Sequence, residues 1–64
     1  MDFITELNRI MEALDLSPMQ VAYHNDITEA TVYRWRNGTA KPHRGTAKRV
    51  IRKLKELENE NNAQ

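Results

Sequence analysis

The sequence contains no cysteine. That excludes a disulfide framework and a thiolate metal site. No apolar run approaches the ~20 residues of a membrane span. The N-terminus lacks the basic start and apolar stretch of a secretory leader. A cytoplasmic setting without a membrane partner is therefore expected. Glycine and proline are scarce, two of each, so few points break regular structure. Alternating apolar and polar residues are missing too. The β-branched residues are scattered, which predicts helices rather than sheet. No Ser-His-acid set, Gly-rich phosphate loop or paired carboxylate site has a recognisable spacing. His24 and His43 lie far apart with no cysteine between them, and His24 reads as a surface residue. The expectation is a non-enzyme with no metal, cofactor or small-molecule ligand.

At 64 residues, the chain is one domain near the lower limit for folding alone. Its net charge of +1 hides a strong polarity. Residues 1–29 set Arg9 against Asp2, Glu6, Glu12, Asp15, Asp26 and Glu29, a balance of −5. Residues 30–55 hold nine basic residues and no acid, and residues 56–64 carry Glu56, Glu58 and Glu60. An uninterrupted basic stretch of this kind is a footprint for a phosphate backbone, or else a solvated helix face.

Residues 27–38 read as a short helix with a defined start and stop. Thr28 is a good N-cap, because its hydroxyl can accept an otherwise unpaired backbone N–H. Ile27 and Val32 are spaced as a hydrophobic staple. Gly38 can adopt the left-handed conformation that ends helices. At about 100° per residue, Val32 and Trp35 share one face. Ala30, Tyr33, Arg34 and Asn37 point the other way, with Glu29 on the flank. A helix anchored behind and polar in front suits insertion into a groove.

The same starting device occurs earlier. Ser17 is an N-cap, Pro18 the first helical residue, and Gln20 completes a capping box. Leu16 and Val21 form the second staple, and Asn25-Asp26 supplies turn residues. Before this, Phe3, Ile4, Leu7, Ile10, Met11 and Leu14 recur at three- and four-residue spacing, the stripe of a scaffold helix. After it, Ala47, Val50, Ile51, Leu54 and Leu57 form a further stripe. Leu54 and Leu57 either cover the first helix or offer a two-fold interface. The expected fold is all-α: a compact four-helix domain over 1–58, with helices about 3–15, 18–25, 29–37 and 44–58. Residues 59–64 are expected to be a polar, disordered tail. The middle two helices make a helix-turn-helix.

These residues resemble the core of the Cro/repressor family of phage and bacterial regulators, the lambda-repressor-like or XRE-type fold. The resemblance is carried by Leu16-Ser17, Val21-Ala22, Asn25-Asp26, Ile27-Thr28, Thr31-Val32, Trp35 and Gly38, without a gap. It covers about a third of the chain. Three departures stand out: Pro18 where the family often has a phosphate-binding Gln, Asp26 where the turn usually has Gly, and no fifth helix.

The resemblance implies sequence-specific binding to double-stranded DNA. The N-terminal part of the second motif helix would meet base edges in the major groove. Glu29 can accept from a cytosine amino group, Ala30 can pack on a thymine methyl, and Arg34 can pair with guanine in two-point fashion. Tyr33 is placed for a base edge or a phosphate, and a phosphate contact is the alternative for Arg34. The expected phosphate contacts are Ser17, Thr28, Thr31, Arg36, Asn37, Lys41, His43 and Arg44. The structural anchors are Val21, Ala22, Ile27, Val32, Trp35 and Gly38, with Trp35 a core residue rather than a stacking platform. One such module reads few base pairs, which suggests a homodimer on a palindromic operator. The reading is a small phage-type or bacterial transcriptional repressor that occludes a promoter. Two alternatives remain: the DNA-recognition subunit of a packaging, excision or replication assembly, and a protein-interaction module or antitoxin.

Overall fold

Asp2 starts the first helix. Its carboxylate accepts the Thr5 backbone N–H at 2.8 Å and the Thr5 hydroxyl at 3.1 Å. These bonds, the backbone one foremost, hold the Asp2 carboxyl below its ordinary range. The computed structural model describes residues 2–62. Four helices fill them: α1 (Phe3–Leu14), α2 (Pro18–Asn25), α3 (Glu29–Arg36) and α4 (Arg44–Asn62). There is no strand among the described residues, so the chain is all-helical.

The corners between α1, α2 and α3 are built alike. Asp15 ends α1 in the left-handed region at φ 53°, and Asp26 ends α2 at φ 57°. The following amide turns back into the helix: Leu16 N–H donates to the Met11 carbonyl at 2.9 Å, and Ile27 N–H to the Ala22 carbonyl at 3.1 Å. These bonds use carbonyls the helix end would leave unpaired. One residue later the next helix is capped. Ser17 accepts from the Gln20 N–H at 3.2 Å, and the Gln20 side chain returns a bond to the Ser17 N–H at 2.8 Å. Thr28 accepts from the Thr31 N–H at 3.2 Å. Asp-Leu-Ser and Asp-Ile-Thr therefore each close one helix, place an apolar side chain against the core and open the next helix.

Helix α1 packs chiefly on α4 and α2 on α3, with smaller α1–α3 and α2–α4 contacts closing the core. Leu7, Ile10 and Met11 come from α1, Val21 and Ala22 from α2, Val32 and Trp35 from α3, Val50 and Leu54 from α4. Burying a large apolar side chain of this kind stabilises a fold by ~1.5–3 kcal/mol. Phe3 meets Trp35 edge-on, with ring centroids 5.3 Å apart, a favoured aromatic geometry. Leu54 is fully buried and Leu57 packs against the same cluster. Leu54 therefore belongs to the core, and Leu57 stays half-buried at its edge.

Two helix ends fall one residue short of expectation: α1 stops at Leu14 and α3 at Arg36, each followed by its turn residues. The far end of α4 departs more. Residues 59–62 were expected to be disordered, yet the helix continues through Asn62. Residues 63 and 64 of that tail, and residue 1 of the expected domain, lie outside the described residues. An anchor from another helix pins the turn just before the extension to Asn62. Arg9 donates both terminal nitrogens to Glu58, at 3.1 and 3.2 Å, and its Nε to Glu6 at 2.7 Å. The guanidinium holds the Glu58 carboxyl below its ordinary 4.5. With no Gly or Pro after Leu57 to break the ladder, the helix runs on.

Among the described residues, one polar side chain is buried in this core. Asn25 is 4% exposed, and its amide donates to the Val21 carbonyl at 2.9 Å. Its Oδ1 has no hydrogen-bond partner.

Candidate nucleic-acid interface

Helix α3 is short, so each residue is committed to one side. Val32 and Trp35 are buried, while Ala30, Tyr33, Arg34 and Asn37 are exposed and Glu29 is half-buried. That is the division expected from the sequence. An α-helix is about 10–12 Å across with its side chains, which fits the ~12 Å width of a B-DNA major groove. The Arg34 guanidinium has no ion-pair partner among the described residues. It is therefore free to meet an outside acceptor.

Gly38 ends α3 at φ 81°. A side chain is strained in this region, although a Cβ would find only ordinary contact, 3.8 Å from Ile4 Cδ1. The Thr39 N–H turns back to the Arg34 carbonyl at 3.0 Å, and Ala40 N–H reaches the same carbonyl at 3.3 Å. Asn37 Oδ1 accepts the Thr39 N–H at 3.2 Å and also the Thr39 hydroxyl. Asn37 is thus a turn residue first, with its side-chain amide nitrogen still available as a donor. The turn delivers Lys41, His43 and Arg44, all exposed, to the start of α4.

The capping residues have a second capacity. The hydroxyls of Thr28 and Thr31 lie 2.8 Å apart. One hydrogen is spent between them and one remains for an outside acceptor. Ser17 accepts through its oxygen, which leaves its hydroxyl hydrogen free as well.

Arg36 is placed differently from the other basic residues. Its Nε donates to Asn8 Oδ1 at 2.7 Å, which draws it toward α1. It ties α3 to the scaffold through Nε, while the side chain stays exposed and its terminal nitrogens remain available as donors. The anchors are where the sequence put them: Val21, Ala22, Val32 and Trp35 in the core, Ile27 packed against it. Two exposed residues escaped the sequence reading. Met19 is 64% exposed and Tyr23 84%. They are one turn apart on the outer face of α2. Because Val21, Ala22 and Asn25 turn inward, helical phase alone forces positions 19 and 23 outward.

No helix is long and apolar enough to cross a membrane, and no cluster of three or more metal-ligating side chains occurs, among the described residues. Comparison with family models, curated proteins and solved structures gave no match for the chain.

Proposed function

We propose that this chain binds double-stranded DNA sequence-specifically and acts as a small phage-type or bacterial transcriptional regulator, a repressor of the Cro kind. It would work in the bacterial cytoplasm, as two copies on a palindromic operator. The observation that carries this reading is the division of α3: Val32 and Trp35 buried, Ala30, Tyr33 and an unpaired Arg34 exposed. Lys41 and Arg44, exposed just beyond its end, suit the flanking phosphates. Arg34 is assigned to guanine, Glu29 to a cytosine amino group and Ala30 to a thymine methyl, with Tyr33 at the groove edge. Ser17, Thr28 and Thr31 offer hydroxyl hydrogens, and Lys41, His43 and Arg44 offer cations or donors, to the backbone.

The experiment is selection from a random duplex library, followed by titration of the winner and a scramble across salt. A palindromic winner bound far above the scramble is expected. Arg34→Ala should cost ~1–3 kcal/mol on the preferred site and relax one position. Lys41→Ala should weaken both duplexes alike and reduce the salt slope by about 0.9. Equal, steeply salt-dependent binding to both duplexes would instead mark a phosphate binder serving a larger assembly. Binding to neither would remove DNA from consideration and leave a protein partner.

A further inference from the structure

Between α1 and α4 lies an open groove of about 860 Å³. Its floor is apolar, made by Phe3, Ala47 and Ile51, all half-buried. The rim on α1 is acidic, with Asp2, which also caps α1, and Glu6, whose carboxylate also accepts from Arg9 at 2.7 Å. The rim on α4 is a row of Arg44, Lys48, Arg52 and Lys55. These four recur at the spacing of one helix face, and none has an ion-pair partner among the described residues. The two helices run in the same direction, since Phe3 faces Ala47 and Ile51 at one end and Arg9 holds Glu58 at the other. Acids and bases therefore stand at matching heights on opposite sides of the groove.

We infer that this groove is a docking face for a second copy of the chain, related by a two-fold axis parallel to the groove. Rotation about such an axis exchanges left and right while keeping height. It lays the acidic rim of each copy on the basic rim of the other, and the two apolar floors on each other. The basic walls are long side chains whose apolar stems can cover the floors while their charged ends reach the acidic rim opposite. An in-plane axis across the groove would instead set acid on acid, so charge selects one arrangement. Glu56, at the far end, comes level with the partner copy's Arg9 region.

From Arg44 to Asn59 the groove runs about 22 Å along α4. With a width of two helices, the face lies at the small end of specific interfaces. The dimer is accordingly weak, and salt weakens it further. This inference deepens the two-copy part of the proposed function. Its test contains no DNA, so its failure is distinguishable from failure of base reading.

The test is sedimentation equilibrium of the full chain at low and high salt, with Glu6→Lys and Arg52→Glu chains alone and mixed. Circular dichroism monitors the fold of each. The wild type is expected to pass from monomer to dimer with concentration. Each variant alone should self-associate about tenfold more weakly or worse, because like charges then face each other twice. An equimolar mixture of the two should dimerise again, since both contacts become attractive. That rescue also shows that both variants are folded. A wild type that stays monomeric throughout, variants that dimerise like the wild type, or a mixture that fails to recover would each overturn the assignment.

Discussion

Replacing Asp15 or Asp26 by glycine should make this protein more stable. Three helices are closed by a residue in the left-handed region, at φ 53°, 57° and 81°. Only the third position is occupied by glycine. An L side chain held in the left-handed region costs ~1–2 kcal/mol, less for Asp than for most residues. Glycine removes that strain but loses ~0.5–1 kcal/mol more conformational entropy on folding. A second effect favours the change. Each Asp carboxylate stands at the carbonyl end of a helix, where negative charge is unfavourable by ~0.3–1 kcal/mol at low salt. Together these give a net gain of about 1 kcal/mol per site. In a domain this small that corresponds to a rise in Tm of ~4–8 °C. The two sites share no partner, so the double variant should show roughly the sum. Asp15→Asn and Asp26→Asn isolate the charge effect. They should recover only the ~0.3–1 kcal/mol of the charge effect, and salt should abolish that part. The mirror experiment is Gly38→Ala. Its Cβ would meet nothing closer than 3.8 Å, so the expected loss of ~1–2 kcal/mol is purely conformational. Thermal melts by circular dichroism measure all six variants. If both Asp→Gly changes lower Tm while Gly38→Ala is neutral, the assignment of strain to these corners is wrong.

Two further outcomes follow from the core and its edges. Glu58 and Asp2 have carboxyls held below their ordinary values of 4.5 and 3.8. A depressed carboxyl contributes stability that is present above its unfolded value and lost as pH falls through the folded one. Urea midpoints should therefore begin to drop near 4.5 and fall further below 3.8. Glu58→Gln should flatten the upper part of that decline and Asp2→Asn the lower part; an unchanged profile in both would show that these bonds do not form in solution. Asn25→Asp keeps the shape of a side chain only 4% exposed but removes its donor to the Val21 carbonyl and adds a buried charge. It should destabilise by about 3 kcal/mol or more at neutral pH and by less in acid. Equal Tm values for this variant and the wild type would mean the site is open to water.

How much of this was legible in the sequence depends on whether a signal is local. Ser17, Thr28 and Gly38 mark helix ends through bonds to residues a few positions away, so those ends could be read directly. The far end of α4 could not, because it depends on Arg9, 49 positions from Glu58. Asn25 was read as a turn residue from its type. Its burial follows from the phase of α2 against the other helices, which composition does not show. The exposed face of α3 was legible from Val32 and Trp35, since two anchors fix the phase of an eight-residue helix. Arg36 was not, because the attraction of Asn8 on α1 belongs to the packed structure. The groove between α1 and α4 was hidden for the same reason: its two rims come from opposite ends of the chain.

The paired corners also decide where the chain can change length. In Asp15-Leu16-Ser17 and Asp26-Ile27-Thr28 every residue has a duty, and the three follow without a spacer. One added residue would turn the next helix by about 100°. Val21 or Val32 would then swing out of the core and a polar neighbour would swing in. Insertions and deletions are therefore excluded from both corners. They are tolerated in the stretch from Lys41 to His43, where no residue is fully buried. If this chain has descendants of different length, that loop is where the difference will be found, and it sits beside the face proposed to meet DNA.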